Sequence, residues 1–486
     1  MIKVKLEAVE CFERDVRLRL PFRFGVITVT RATQAVIRAT VVLEDGRASR
    51  GVAAETLGAK WFDKSSAFSD AQNLDQLRQA LSLAVELYRS CPWSTPFELF
   101  VRTYNEQLVR GRELGLVPLV AAYGPALLDR AILDALGRAE GLTFVDMITR
   151  NVAGLDITEL TPDLAGFDLA RFLADLRASP TIAVRHTVGL LDPIVAADQK
   201  PGERVNDGLP ETLEEVVAHY RTRYFKLKVA GNIAADLDRL TRIAAVLDRA
   251  VEDYHATLDG NEQYDDIAGV AELWRRMCET PALSRLAAAT LWIEQPIARA
   301  CALAQPVAEL ARLKPLIIDE SDGELASFPA ALALGYSGVS SKNCKGFYKS
   351  ILNAARVAKL NASVGRPQYF ITGEDLTTLA GVSVQQDLAL VSLLGLAHVE
   401  RNGQHFIDGM SFAPQAEQAN FVEAHPDLYE RVAGPARLRI QEGRLTLGSL
   451  ACPGFAAVAE LDFASMRPMP RAPSGRITPL FPERAA

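Results

Sequence analysis

The chain lacks the features that mark membrane, secreted or nucleic-acid-binding proteins. It has no run of basic residues, no apolar stretch near the roughly 18 residues of a membrane helix, and no hydrophobic signal-peptide core at its start. Its formal net charge of -7 makes the surface mildly acidic. We therefore expect a cytoplasmic protein that has neither nucleic acid nor a membrane as a partner.

Cysteine is scarce, and its six positions include no C-x-x-C pair. Neither a zinc site nor a disulfide framework is indicated, and an ordinary buried thiol is the favoured interpretation even of Cys344, which lies close to a motif described below. Apolar residues, in contrast, make up 49% of the 486 residues, which is enough for a sizeable core. A chain of this length fits two or three domains, or one barrel-sized domain with additions.

The N-terminal third reads as strands followed by helices. Residues 35–43 are rich in β-branched side chains and end at Asp45-Gly46, a strong hairpin signal, before a returning strand at 51–55. From about residue 65 to residue 148 the apolar pattern becomes helical. Residues 1–155 are therefore predicted to form an α+β domain.

Residues 156–412 follow a different pattern, in which short apolar runs alternate with helical segments. Eight such runs predict a (β/α)8 TIM barrel, whereas the rival doubly wound sheet usually carries a glycine-rich phosphate loop that is missing here. The predicted strands cover residues 182–188, 225–229, 256–259, 291–294, 316–319, 338–342, 369–372 and 396–400.

Two further segments are expected to lie outside the barrel. Residues 191–210 are expected to form a long loop over its mouth. In the tail, residues 413–486, a β-like pair at 437–440 and 444–447 is too short to stand alone. We expect that pair to pack on the N-terminal unit, so that the tail helps to form the capping domain.

Ionisable residues stand at the ends of five predicted barrel strands, where barrel enzymes build their active sites. Alternation along strand two places both of its lysines on one side and its apolar residues on the other. The three acids are spaced 35 and 25 residues apart, about one helix plus its connections each time, so they fall on successive strands. The residues are Lys226 and Lys228 on strand two, Asp259 on three, Glu294 on four, Asp319 on five and Lys342 on six.

Three converging carboxylates would repel one another unless a cation lay among them. Oxygen-only ligands favour a hard divalent ion, Mg2+ with Mn2+ as the alternative, although each acid taken alone is equally well explained as a helix cap or a loop salt bridge. Strands two and six lie four apart in an eight-stranded ring, so the α-carbon of a metal-bound carboxylate would lie between Lys228 and Lys342. Positive charge nearby lowers a lysine pKa, so one lysine is expected to remove the α-proton while the other returns a proton or stabilises charge.

The series Lys-x-Lys, Asp-x-Asn, Glu-Gln-Pro, Asp-Glu-Ser and a strand-six lysine resembles the enolase superfamily, in its muconate lactonizing enzyme-like branch. The resemblance covers most of the chain, since residues 20–25, 128–137 and 452–455 are similar to that family's capping segments. It implies Asp259, Glu294 and Asp319 as metal ligands, Lys228 and Lys342 as the acid/base pair, and Lys226 as a supporting electrostatic group. It also implies a small-molecule carboxylate substrate and a homo-oligomer.

The sequence departs from the family pattern in ways that leave the reaction open. The mandelate racemase-like branch uses a strand-seven histidine, which residues 368–375 lack, and this favours the two-lysine branch. The chain carries added sequence at about 155–215 and after residue 412. Racemisation or epimerisation and cycloisomerisation are the preferred outcomes, and acid-sugar dehydration or a catalytically idle, carboxylate-binding barrel are the alternatives. Candidates for substrate contact, each with a structural alternative, are Glu374, Glu400, His398 and Phe24.

Overall fold

The N-terminal region begins with three antiparallel strands that form most of a four-stranded sheet. The computed structural model describes residues 1–25, 27–432 and 434–480, and the strands are β1 (Val4–Phe24), β2 (Ile27–Leu43) and β3 (Ala48–Thr56). β2 pairs with both neighbours, and Gly46, with φ of +86°, makes the turn predicted at Asp45-Gly46. β1 and β2 extend as a two-stranded ribbon well beyond β3, which pairs only with residues 34–42 of β2.

Helices then cover one face of this sheet. Ser69, Thr95 and Thr143 each cap a helix with the reciprocal side-chain bonds of a capping box, which explains where those three helices start. The predicted α+β arrangement of strands followed by helices is confirmed. The helices are α1 (Ala59–Phe62), α2 (Asp70–Ser90), α3 (Pro96–Glu113), α4 (Pro118–Ala121), α5 (Tyr123–Glu140), α6 (Phe144–Thr149) and α7 (Leu169–Asp175).

Eight parallel strands close into a barrel, because the last of them pairs with the first. This confirms the predicted (β/α)8 fold with an α+β cap. The strands are β4 (Thr181–Val188), β5 (Tyr224–Lys228), β6 (His255–Asp259), β7 (Thr290–Glu294), β8 (Leu316–Ile318), β9 (Gly338–Ser341), β10 (Phe370–Gly373) and β11 (His398–Glu400). The helices among them are α8 (Leu213–Tyr220), α9 (Ile233–Ala250), α10 (Ile267–Glu279), α11 (Ser284–Ala289), α12 (Arg299–Ala302), α13 (Ala308–Ala311), α14 (Ser327–Leu334), α15 (Phe347–Val364) and α16 (Val382–Leu393).

The C-terminal tail differs from the prediction. After β11, α17 (Gly403–Phe406) precedes the tail, which contains α18 (Gln415–Ala424), β12 (Tyr429–Glu430), β13 (Arg437–Leu438), β14 (Arg444–Thr446) and β15 (Arg467–Pro468). β13 and β14, expected as one pair on the N-terminal unit, instead pair with β12 and with β4 of the barrel. The N-terminal residues of β4, 181–183, extend past the start of β5. β14 pairs with them and so provides hydrogen-bond partners for their backbone groups. The return to the N-terminal sheet is made later, by β15 against β1.

One hydrophobic core joins the cap to the barrel. It combines side chains of the N-terminal sheet and helices with those of β4, α15 and α16, while a second core lies between β5–β9 and their helices. Cys344 is a buried free thiol, as predicted. Over the described ranges, no helix is long and apolar enough to cross a membrane.

Candidate active site

The carboxyl ends of neighbouring barrel strands bring the predicted charged residues together. Strand register pairs Lys228 of β5 with Asp259 of β6, and Asp259 with Glu294 of β7. Both lysines of β5 point into the barrel, whereas Phe225 and Leu227 belong to the core between strands and helices. The predicted alternation of β5 is therefore confirmed. All six predicted residues are buried, and the most exposed of them, Lys228, has only 6% of its surface accessible.

The ammonium of Lys226 lies among four carboxylates. It is 2.9 Å from Asp259 Oδ2 and donates hydrogen bonds to Glu294 Oε1 at 2.9 Å, Glu374 Oε2 at 2.8 Å and Glu400 Oε2 at 2.9 Å. Burial alone lowers its pKa, but these carboxylates outweigh burial and hold the pKa well above its ordinary value. Lys226 is thus a fixed cation rather than a base.

Lys228 and Lys342 each contact one of the predicted metal ligands. Lys228 Nζ lies 2.5 Å from Asp259 Oδ2, and Lys342 Nζ lies 2.6 Å from Asp319 Oδ2 and 4.2 Å from the centre of the Trp61 ring. Burial lowers the pKa of Lys342, but Asp319 outweighs it, so the net shift is upward. This is opposite to the sequence-based expectation, because a carboxylate in direct contact stabilises the ammonium more than a second lysine destabilises it.

The two lysines lie on opposite sides of the barrel mouth, since β5 and β9 are four positions apart in the closed ring. Both line one small pocket of about 40 Å³, space for roughly three water molecules. The capping domain contributes Phe22 and Trp61 to its wall. The remaining lining residues are Lys226, Asn261, Asp375, Leu376, Thr377, Glu400 and Asn402.

The three predicted metal ligands have donor chemistry that fits a hard divalent cation. All their donors are oxygens, and both carboxylate oxygens of Glu294 lie within 2.9 Å of the Lys226 ammonium. Burial, with Asp259 and Glu374 close by, holds the pKa of Glu294 well above its ordinary value. Among the described residues, however, no three His, Cys, Asp or Glu side chains are arranged as a metal site. Lysine ammonium groups neutralise these acids instead.

The residues predicted to contact substrate lie at different depths below the mouth of the barrel. Glu400 lines the pocket, held by Lys226 and by the Thr187 hydroxyl at 2.5 Å. Glu374 lies deeper, between Lys226 and Arg185. His398 is one layer lower again, stacked between the rings of Tyr224 and Trp292, and the structure does not bring it to the pocket. The side chain of Phe24 lies outside the described residues.

Sequence reasoning missed Arg185, which is fully buried inside the barrel. Its guanidinium donates to Glu374 and to Gly373 O at 2.9 Å, contacts His398 Nδ1 at 2.9 Å, and lies 5.1 Å from the Trp292 ring. The sequence did contain a signal for it. An arginine within a buried apolar strand needs a charged or polar partner, just as the lysines of β5 do. His186, next to it, points the other way and packs against His405.

Comparison with known proteins supports the fold. No family model matches the chain, and no curated protein matches it in sequence. Solved structures do match over nearly the whole chain. The muconate lactonizing enzyme from Pseudomonas fluorescens, complexed with muconolactone, is 18% identical with a TM-score of 0.60, and 95% of this chain aligns with 98% of that one.

Two other structures agree with this match. The 2-chloromuconate cycloisomerase from Rhodococcus opacus 1CP is 17% identical with a TM-score of 0.59, covering 95% of this chain and 98% of that one. A member of the enolase superfamily from Roseovarius nubinhibens ISM is 17% identical with a TM-score of 0.56, covering 97% and 99%. At such identities the likeness is one of architecture. The resemblance inferred from the motifs is thus confirmed at the level of architecture: the chain has the same capped-barrel fold as these muconate lactonizing and enolase superfamily structures.

Proposed function

We propose that this protein is an enzyme that removes the α-proton of a small carboxylate substrate and forms an enediolate intermediate. The observation that carries the proposal is the placement of Lys228 and Lys342 on opposite sides of one buried pocket, with carboxylates of the intervening strands between them. A planar enediolate held there presents one face to each lysine. Racemisation or epimerisation fits this arrangement best, and cycloisomerisation is the second outcome.

The two lysines would divide the proton transfers between them. In its neutral form, one lysine accepts the α-proton and becomes an ammonium, while the opposite ammonium delivers a proton to the other face of the same carbon. One proton leaves the carbon and one returns, so the reaction needs no other reactant. Lys226, which stays protonated, would stabilise the negative charge that develops on the substrate carboxylate.

Asp259, Glu294 and Asp319 would hold Mg2+ or Mn2+. When bound, such an ion supplies Lewis-acid stabilisation of the enediolate oxygens. In the structure, Asp259 contacts Lys228, and Asp319 contacts Lys342 and raises its pKa. Any interaction that draws Asp319 away from Lys342 therefore favours the neutral amine that proton abstraction requires.

A catalytically idle barrel that binds a carboxylate is the second candidate, because Asp319 holds Lys342 in its protonated form. Acid-sugar dehydration has less support. His398 does not reach the pocket, and Glu400, which does, is already bonded to Lys226 and Thr187.

Solvent deuterium exchange distinguishes an enzyme that abstracts the α-proton from an idle carboxylate-binding barrel. The protein, loaded with Mg2+ in D2O, is incubated with a panel of N-acyl amino acids, dipeptides and sugar acids, and the gain of one deuterium is followed by mass spectrometry. We expect exchange with at least one substrate class. For each enantiomer it should be slowed about 10²- to 10⁴-fold in the one variant, Lys228→Ala or Lys342→Ala, that lacks the lysine facing its α-proton, and it should be unchanged in Lys5→Ala, an exposed lysine of the cap.

Exchange by Lys228→Ala and Lys342→Ala at the wild-type rate would refute the base assignment. No exchange with any member of the panel, in folded and Mg2+-loaded protein, would favour the idle carboxylate-binding barrel.

A further inference from the structure

The β1–β2 ribbon extends to the mouth of the barrel without support from the rest of its sheet. β3 does not reach the distal ribbon, residues 18–24 of β1 and 27–32 of β2. A two-stranded ribbon by itself is only marginally stable in water. Phe22 of the distal ribbon nevertheless lines the cavity between Lys228 and Lys342, the lysine pocket. Contacts from outside the sheet must therefore hold the ribbon in place.

β1 bulges out of this ribbon at residues 18–21, which lie opposite Thr30 alone. Extra residues of this kind interrupt the ladder and turn a side chain away from its regular direction. Arg19 lies in the bulge, and its side chain, only 4% exposed, extends to segments outside the sheet. The register pairs on either side of the bulge are Arg17 with Arg31 and Phe22 with Val29.

The guanidinium of Arg19 joins the ribbon to two other parts of the chain. Its Nε and one Nη donate to the two carboxylate oxygens of Asp207 at 2.5 and 2.8 Å, a bidentate pair. The other Nη donates to Pro210 O at 3.2 Å and to His405 O at 2.8 Å. Asp207 and Pro210 belong to the long connection between β4 and α8, residues 189–212, and His405 belongs to α17. This connection and α17 therefore hold the ribbon together.

The 189–212 connection is itself fixed by buried hydrogen bonds. Glu211, which is 1% exposed, accepts from Asn206 N at 2.9 Å and from Gln199 Nε2 at 2.8 Å. Asp207 Oδ1 also accepts from Leu209 N at 3.1 Å, so its own loop orients the carboxylate. A pre-organised acceptor loses little entropy when it is bound. The connection is therefore a rigid support for Arg19.

A second contact secures the ribbon next to the pocket. The ring of Phe22 packs against Phe406, with centroids 4.4 Å apart, and Phe406 follows His405 in α17. α17 is joined to β11 through Asn402, another residue of the pocket lining. Arg19 and Phe22 are thus anchored on the same short helix, so a displacement of the first moves the pocket wall formed by the second.

We propose that Arg19 is a positioning residue of the lysine pocket, whose bonds to Asp207 and α17 fix the distal ribbon and Phe22 in place before any substrate binds. Arg19 does not line the pocket, so it acts on substrate binding through the ribbon and takes no part in the proton transfers. The effect on catalysis rests on the proposed function, whereas the rigidity of the ribbon does not.

Amide hydrogen exchange followed by mass spectrometry tests the rigidity without a substrate. Peptides from the distal ribbon are compared in the wild type, Arg19→Gln, Asp207→Asn and the control Arg38→Gln. Arg38 makes the same kind of bidentate pair, with Glu10 at 2.7 and 2.8 Å, in the part of the sheet that β3 supports. We expect slow ribbon exchange in the wild type and the control, and exchange about tenfold faster in Arg19→Gln and Asp207→Asn.

Kinetics of α-proton exchange test the effect on catalysis. When a ribbon must become ordered as substrate binds, the apparent affinity falls in proportion to the fraction of molecules already ordered. Arg19→Gln should therefore raise KM about tenfold and change kcat less than about twofold, and Arg38→Gln should match the wild type. Asp207→Asn and the double variant Arg19→Gln/Asp207→Asn should show the same rise as Arg19→Gln, because the two residues form one contact. Arg19→Lys, which keeps the charge without the bidentate geometry, should recover part of the loss.

Fast exchange of the distal ribbon in the ligand-free wild type would overturn the proposal, and this measurement remains decisive even if a variant folds poorly. Ribbon exchange in Arg19→Gln and Asp207→Asn equal to that in the control, or rises in KM that add in the double variant, would overturn it as well. Its failure is separable from failure of the proposed function. Faster ribbon exchange in the variants, without α-proton exchange on any carboxylate, refutes only the enzymatic function. Exchange of α-protons with the same KM in Arg19→Gln as in the control refutes only the positioning role.

Discussion

Arg185, inside the barrel, does not line the lysine pocket but influences it through Glu374. Its guanidinium binds one oxygen of Glu374, whose other oxygen accepts a hydrogen bond from Lys226 at 2.8 Å. Glu374 is one of the carboxylates that raise the pKa of the nearby Glu294. Arg185 is therefore a positioning residue, because it balances the charge of Glu374 and so fixes the position of the Lys226 ammonium.

Replacing Arg185 by methionine removes one of the two cations that contact the buried Glu374, Lys226 being the other. We expect Arg185→Met to lower the free energy of unfolding by about 3–5 kcal/mol and to lower kcat for deuterium exchange more than it raises KM. The double variant Arg185→Met/Glu374→Gln, which removes both charges, should regain most of that stability. Urea unfolding and exchange kinetics measure the two effects. Equal losses in the single and double variants would contradict the pairing.

At the scale of elements, the cap is assembled by the close approach of α5 to β3. A Cβ atom added at Gly51 of β3 would lie 2.1 Å from Ala131 O and 2.2 Å from Ala135 N, both backbone atoms of α5. A backbone cannot move aside as a flexible side chain does. The close packing of α5 against β3 therefore requires glycine at position 51.

We expect Gly51→Ala to lower the free energy of unfolding by about 3 kcal/mol, since it forces β3 away from α5. Gly475→Ala is the matched control, because a Cβ there has no atom within 4 Å, and it should change stability by less than about 0.5 kcal/mol. Chemical denaturation compares the two variants. A Gly51→Ala protein as stable as its control would show that the contact is looser than the structure has it.

How much could be predicted from the sequence differs between elements. The barrel and the charged ends of its strands could be predicted. The alternation of side chains along β5, and acids spaced about one helix apart, leave few other folds that place these charges together. The pairing of β14 with β4 could not, since nothing in residues 444–447 encodes which unpaired strand end they meet. The ion pairs of Lys226 and Lys342, and hence the direction of their pKa shifts, depend on contacts between residues that are distant in the chain.

At the scale of the whole molecule, folding buries two histidines in contact with each other. The rings of His186 on β4 and His405 on α17 meet edge to face, with centroids 4.9 Å apart. Burial lowers the pKa of His186 from 6.5 to about 4, although Glu400 opposes this shift, and burial also lowers the pKa of His405. Both rings are therefore neutral in the folded protein near neutral pH.

This burial makes the fold sensitive to acid. Between pH 6.5 and pH 4 the unfolded chain binds a proton at His186 that the folded chain does not, so stability falls as the pH falls, by about 3 kcal/mol in total. In His186→Gln that part of the pH dependence should be lost, whereas His219→Gln, at an exposed histidine, should keep it. Unfolding midpoints across this pH range provide the measurement. If the unfolding midpoint of His186→Gln varied with pH as steeply as that of the wild type, His186 would not be the source of this acid sensitivity.

The two-lysine site is tested most directly by solvent deuterium exchange on single enantiomers of the first substrate found. Because Lys228 and Lys342 lie on opposite sides of the pocket, each is expected to remove the α-proton of one enantiomer only. Lys228→Met should then abolish exchange for one enantiomer and keep it for the other, Lys342→Met should show the reverse pattern, and Lys5→Met should exchange both. Loss of both enantiomers in equal measure in each variant, or loss of neither, would contradict a site in which two opposed lysines share the proton transfers.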